Sequence, residues 1–295
     1  MESPIIVITG PTASGKTAIS VEMAKKFGGE IINADSRSIY KEMDLGTGKP
    51  TMTEREGIPH HLFDVVSPNE QFSVAEYKKM AEEKIAEIRS RGNVPIIAGG
   101  TMMYIDAVVY DYEMSDAKPD SMLRNKLAQK STEEIFAELE KNDPETAVSI
   151  DARNRHRLIR ALEVFYETGK PAANGKRKAK LPTNVLYLAI DRDREELYAI
   201  INRRVKKWMA EDFVDEVKNL LKKYSLDDPG MSGIGYKQVG LYLKGDITLE
   251  EATDKFQQGD RNLAKRQLTW LRRNKDVVWI KDKKEAEDKI KKFLI

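Results

Sequence analysis

The sequence predicts an α/β protein: a parallel β-sheet with helices on both faces, and an all-helical segment inserted into it. Three observations lead there. Short apolar, β-rich runs alternate with helical patterns. The first run leads into a glycine turn and then a helical segment. The stretch 115–181 carries helical patterning and no convincing strand.

The elements are expected in this order. Residues 4–9 (PIIVIT) read as a buried strand, followed by a glycine loop and a helix over about 16–27. Residues 30–34 (EIINA) and 94–98 (VPIIA) read as further strands, with a helix over 73–91 between them. Residues 185–190 (VLYLAI) and 277–280 (VVWI) complete the set. Strands that are apolar throughout, separated by helices, belong to a parallel sheet buried on both faces. In the inserted stretch, 121–141 and 144–168 each read as one helix, the second ending on Gly169. The basic KPAANGKRKAK segment, 170–180, reads as a mobile loop. Helical patterns also cover 195–224 and 249–274. The domain expectation is therefore a core of 1–114 and 182–295 with an inserted subdomain over 115–181.

Composition narrows the chemistry. The chain has 295 residues, enough for a substantial core, and no cysteine, which excludes disulfides, thiolate metal sites and cysteine nucleophiles. Its three histidines, His60, His61 and His156, lack zinc-ligand spacing. Lys and Arg number 50 against 48 Asp and Glu, so total charge does not mark a nucleic-acid binder. No stretch has the length of a signal or membrane segment, and the expected location is cytoplasmic. Nothing signals an oligomer, so a monomer is the default expectation.

Gly10-Pro11-Thr12-Ala13-Ser14-Gly15-Lys16-Thr17 satisfies G-x-x-x-x-G-K-[ST] between an expected strand and an expected helix. Backbone N–H groups there can cradle phosphate oxygens, Lys16 adds a charge, and the Thr17 hydroxyl can hold Mg²⁺. The fold expectation is thus a P-loop NTPase-like sheet. The motif does not choose between ATP, another nucleotide and any other diphosphate.

Asp35 and Ser36 follow the second strand, and Gly99-Gly100-Thr101 the third. Ligands of open parallel sheets gather at the carboxyl ends of strands. Asp35 can serve as a general base, or instead as a helix cap or metal-shell ligand. Thr101 can donate to a phosphate oxygen, or cap the helix that starts near Met102. Positive charge is local. Arg153, Arg157 and Arg160 share one face of the expected helix. Arg261, Lys265, Arg266, Arg272, Arg273 and Lys275 cluster around Trp270 with no acid between Arg261 and Lys275. Lys170, Lys176, Arg177, Lys178 and Lys180 lie in the basic loop. Each can be a solvated face; together they suit a polyanion larger than a nucleotide.

GPTASGKT (10–17), ADSRSIYKEMDLGTGKP (34–50), PHHLFDVVSP (59–68), GGTMMY (99–104), RHRLIRALEVFYETGK (155–170), GIGYKQ (233–238) and LAKRQLTWLRR (263–273) together resemble the tRNA dimethylallyltransferases. The resemblance runs nearly end to end, and the ordered set is more specific than any member of it. It implies transfer of a dimethylallyl group from dimethylallyl diphosphate to N6 of the adenosine 3′ of the anticodon. By the same resemblance, Thr12 to Thr17 would hold the diphosphate with Mg²⁺. Asp35 would be the base, Thr101 would contact the donor, and Arg204 and Lys16 would steady the leaving group. The implied contacts to the tRNA anticodon stem-loop are Asp35, Ser36, Arg37, Ser38, Met102, Arg124, His156, Arg157, Arg160, Gly235, Tyr236, Lys237, Lys265, Arg266, Gln267, Trp270 and Arg272. Ser38 stands where many members carry Gln, and Ile200 where an arginine is usual. Three other readings share the P-loop: prenyl transfer to free AMP, ADP or ATP, a small-molecule or nucleotide kinase, and a non-catalytic RNA-binding module, which leaves Asp35 and Thr101 unexplained. The basic segments argue against the first, and the second gives Thr101 no role.

Overall fold

A computed structural model of the chain describes residues 3–115, 117, 120–172 and 180–295. The chain forms two compact units, 3–109 with 181–295, and 110–180. Most of the basic loop, including Lys176, Arg177 and Lys178, lies outside the described residues.

In the larger unit the elements run β1 (Ile5–Thr9), α1 (Lys16–Phe27), β2 (Gly29–Asn33), α2 (Met52–Arg55), β3 (His60–His61), α3 (Val74–Ser90), β4 (Val94–Gly99) and α4 (Met102–Val109). The smaller unit holds α5 (Ser121–Ala128), α6 (Thr132–Asn142), α7 (Pro144–Ser149) and α8 (Arg155–Thr168). The larger unit resumes with β5 (Val185–Ile190), α9 (Arg194–Ala210), α10 (Phe213–Leu220), α11 (Tyr236–Lys244), α12 (Leu249–Arg273), β6 (Val278–Ile280) and α13 (Lys283–Leu294).

The six strands form one parallel sheet in the order β3-β2-β4-β1-β5-β6. Ile6, Ile8, Ile31 and Ile96 pack on one face against Ile19 and Met23 of α1 and Ile290 of α13. Val7, Ile32 and Ile97 have the opposite parity and are also buried. On that second face the Tyr187 hydroxyl of β5 donates to Asp106 of α4 at 3.0 Å. Helices therefore cover both faces, which is why the strands are apolar throughout. A second core joins α9, α10, α11 and α12 through Val205, Phe213, Val217, Tyr236 and Phe256.

Two helices expected as continuous are broken. The 121–141 segment splits into α5 and α6 because the Ser131 side chain caps the backbone of Glu134, and Glu134 caps Ser131 in return. The 144–168 segment splits into α7 and α8, with Asn154 capping the N–H of Arg157. Arg153 consequently lies in the turn before α8 and bonds Asp151, so the expected helical face of Arg153, Arg157 and Arg160 does not include Arg153. The 195–224 pattern is likewise two helices, α9 and α10. The two-residue β3 has no sequence periodicity to announce it. The Gly169 cap forms as expected, with φ of 65°. Among the described residues, no helix is long and apolar enough to cross a membrane.

Strand register brings three chain reversals to one edge of the sheet. Thr9 pairs with Gly99, and Asn33 with Ala98. A Cβ at Gly99 would stand 2.2 Å from the backbone carbonyl carbon and oxygen of Ala34, so only glycine lets β4 end this close to β2. Gly99→Ala is expected to destabilise the protein by about 3 kcal/mol, since rigid backbone must move to admit the methyl group. Urea denaturation would measure the loss; unchanged stability would show that the strand ends can separate freely.

Candidate active site

The P-loop leaves β1 at Gly10 and enters α1 at Lys16. Its turn needs left-handed backbone at Ala13 (φ 63°) and Gly15 (φ 93°). Gly15 occupies the N-cap of α1 without a capping side chain, and the first turn contains no acid. The N-terminal N–H groups of this 12-residue helix are therefore offered to an anion, with the helix dipole behind them. The Ser14 hydroxyl is buried there with no hydrogen-bond partner.

The Lys16 ammonium donates to the carbonyls of Gly10 (3.1 Å) and Pro11 (2.8 Å). Burial pushes its pKa down to about 8; the Asp35 carboxylate opposes that shift and the Arg204 charge adds to it. Lys16, Asp35 and Arg204 thus sit within one electrostatic neighbourhood.

The turns after β2 and β4 are tied together. Thr101 N donates to Ala34 O at 2.9 Å, Ser36 N donates to Thr101 Oγ1 at 2.9 Å, and Thr101 Oγ1 bonds Ser36 Oγ at 3.1 Å. Asp35 Oδ1 accepts from the backbone N–H of Arg37 at 2.8 Å. The structure thus brings Asp35 and Thr101 to the same edge as the P-loop.

Helices α9 and α12 close the site from the side. Arg204 Nη2 donates to Thr12 Oγ1 at 2.9 Å and to Asp260 Oδ2 at 2.7 Å, and the guanidinium carbon lies 4.7 Å from the centre of the Trp208 ring. The Gln267 amide accepts from Thr12 N at 2.7 Å and donates to Gly100 O at 2.8 Å. Asp260 was absent from the sequence reading. Its signal was available: it lies seven residues before Gln267 and therefore on the same helix face, an acid in a basic helix.

The basic and polar residues expected at a nucleic-acid surface divide into two groups. Lys265, Arg266 and Arg272 are exposed on α12, Lys237 on α11, and His156 and Arg157 on α8. The others are engaged internally. Gln267 is buried with both amide atoms bonded, and Trp270 Nε1 donates to Asp106 at 2.8 Å. Ser38 and Met102 are buried; Tyr236 is buried too, its hydroxyl donating to Glu216 at 2.6 Å. Gly235 is the buried N-cap of α11. Arg37 donates to Pro229 O at 3.0 Å, tying the loop after β2 to the one before α11. In the smaller unit, Arg124 grips the fully buried carboxylate of Glu163 at 2.6 and 3.0 Å. Arg160 bonds the same carboxylate at 3.4 Å and Ala117 O at 2.6 Å.

The sequence pattern of IPP transferases matches residues 38–274. The chain belongs to the IPP transferase family. It is 45% identical over 286 residues to a tRNA dimethylallyltransferase of Pelotomaculum thermopropionicum, covering 95% of this chain and 91% of that one. The crystal structure of a tRNA isopentenylpyrophosphate transferase from Bacillus halodurans matches with a TM-score of 0.75 at 37% identity, covering 99% of this chain and 97% of that one. A eukaryotic dimethylallyltransferase captured acting on tRNA matches with a TM-score of 0.79 at 29% identity, over 92% of this chain and 70% of that one.

The half-buried Lys16 makes anion binding pH-dependent. Its ammonium is the form that attracts diphosphate, and that form is lost as pH rises through about 8. Affinity for inorganic diphosphate is expected to fall about tenfold per pH unit above this point. The ligand's own ionisation is the only pH dependence expected to remain in Lys16→Ala. Calorimetry in buffers of different ionisation enthalpy should show proton uptake near pH 8.5; identical heats in all buffers would contradict it.

Proposed function

We propose that this chain transfers the dimethylallyl group of dimethylallyl diphosphate to N6 of the adenosine on the 3′ side of the anticodon in tRNA, releasing diphosphate. The observation that carries the reading is the uncapped P-loop, with its half-buried Lys16, beside the Asp35 turn in an IPP transferase. The names of the relatives support the donor and the tRNA acceptor.

In this mechanism the donor diphosphate lies on the P-loop amides between Gly10 and Thr17. As the allylic carbon–oxygen bond breaks, its electron pair goes to the diphosphate, where Lys16 and Arg204 stabilise the growing charge. The adenine amine forms the new carbon–nitrogen bond, and Asp35 takes the proton that N6 gives up. Thr101 steadies the acceptor turn through Ser36 and reaches the donor with its hydroxyl. Thr17 stands in the first turn of α1, where its hydroxyl would hold Mg²⁺, and the orphaned Ser14 hydroxyl beside it suits a site completed by phosphate oxygens. Bound there, Mg²⁺ supplies charge neutralisation on the leaving diphosphate.

An adenosine must leave its stack to bring N6 to Asp35, which is least costly in a single-stranded loop. Lys265, Arg266 and Arg272, with Lys237, His156 and Arg157, are the exposed groups assigned to the tRNA backbone. The chain acts in this reading as a cytoplasmic monomer.

The test is incubation with dimethylallyl diphosphate, Mg²⁺ and either an unmodified anticodon stem-loop or AMP, followed by nucleoside mass spectrometry. Prenylated adenosine in the RNA is expected. Asp35→Ala should slow its formation by about 10²- to 10⁴-fold, the usual range for a positioned base. Prenyl-AMP without prenylated RNA would sink the tRNA reading, and phosphoryl transfer from ATP would sink prenyl transfer. Replacing Lys265, Arg266 and Arg272 together by alanine should flatten the salt dependence of RNA binding by a slope of about 2. Filter binding across a salt series would show it; a parallel slope would remove α12 from the RNA surface.

A further inference from the structure

Asp260 is 5% exposed and stands on α12, on the side of the helix that faces α9. A buried carboxylate is unfavourable unless a cation and hydrogen bonds hold it, and one beside an anion site is doubly so. Its pKa is raised by burial against the opposing pull of Arg204, with Asp35 adding to the rise. Such a group needs a reason to be there. Its partner supplies one: Arg204 Nη2 spends both hydrogens on the protein, one on Asp260 and one on the P-loop hydroxyl of Thr12. Trp208 fixes the plane of the guanidinium from the side.

The surroundings make this pair rigid. Gln257, one turn before Asp260, donates to Asn202 O at 3.1 Å, and Arg261 donates to the Asn202 side chain. Leu197 and Ile201 of α9 pack on Ala264 and Leu268 of α12. The acid therefore cannot swing away without breaking a packed helix seam. Arg204 Nε is buried with no partner, so the hydrogen on Nε and the two on Nη1 are not spent on Asp260 or Thr12.

We propose that Asp260 is a positioning residue for the transfer reaction: it fixes Arg204 against Thr12 so that the remaining guanidinium hydrogens meet the leaving diphosphate. This deepens the proposed function and rests on its assignment of Arg204. The carboxylate acts through its acceptor oxygen, since its charge alone would repel the diphosphate. Fixed donors aimed at developing charge raise turnover more than they raise ground-state binding.

Two substitutions separate acceptor from charge. Asp260→Asn and Asp260→Ala remove the same negative charge, but only alanine removes the oxygen that holds Nη2. Asp260→Ala is expected to lower kcat at least tenfold, with the KM for tRNA unchanged. Asp260→Asn should recover most of the turnover. The gap between the two should close on an Arg204→Ala background. Binding of inorganic diphosphate, measured by calorimetry, should follow the same order and does not depend on turnover. Equal behaviour of alanine and asparagine, or a gap that persists without Arg204, would overturn the assignment. A wild-type protein that prenylates no RNA, yet shows this order in diphosphate binding, would sink the transferase reading and leave the assignment standing.

Discussion

The register of β2, β4 and β1 is the constraint on which the site depends. Thr9 pairs with Gly99 and Asn33 with Ala98, so three strands end at one level and release their loops side by side. The Thr9 hydroxyl donates to Gly99 O at 2.7 Å, and Ala34 N to Ala98 O at 2.8 Å, which fixes those ends. A strand slipped by one residue would exchange the side chains packed on α1 and α13 for those packed on the opposite face. The packing of both faces that builds the core therefore also sets the spacing between the P-loop, Asp35 and Thr101.

Electrostatics at this edge is a balance of like and unlike charges in a small volume. Lys16 is repelled by Arg204 and attracted by Asp35, whereas Asp260 is attracted by Arg204 and repelled by Asp35. Arg204 is held by Asp260, whereas Lys16 rests on neutral carbonyls. The lysine is thus the cation with most to gain from an arriving anion, because it has been desolvated without receiving a carboxylate hydrogen bond. A preformed electrostatic environment of this kind needs little rearrangement when charge moves during a reaction.

Much of this was legible in the sequence. The strands are continuous apolar runs, and the glycine-rich P-loop is local chemistry written in consecutive residues, so five strands and the phosphate turn could be read directly. Asp35 and Thr101 could be placed because each follows a strand. What escaped depended on tertiary pairing or on competition between local signals. Ser131 and Asn154 end helices that periodicity alone would continue. Arg124 and Arg160, expected at the RNA surface, share the buried carboxylate of Glu163, which no local pattern links to them. Asp260 and Gln267 sit in a helix whose basic outer residues dominate its appearance, and their partners lie at Arg204, Thr12 and Gly100, far away in sequence.

Helix α12 is 25 residues long, roughly 37 Å from end to end. In its C-terminal half, one face is stitched to the P-loop and to Gly100, while Lys265, Arg266 and Arg272 project elsewhere on the same rod. A rod of this kind transmits displacement. A sideways slip of one helical ridge would have to break the Gln267 bonds to Thr12 and Gly100 together, because a single planar amide makes both. Helix α12 thus joins its basic outer face to the P-loop by two routes, through Gln267 directly and through Asp260 by way of Arg204.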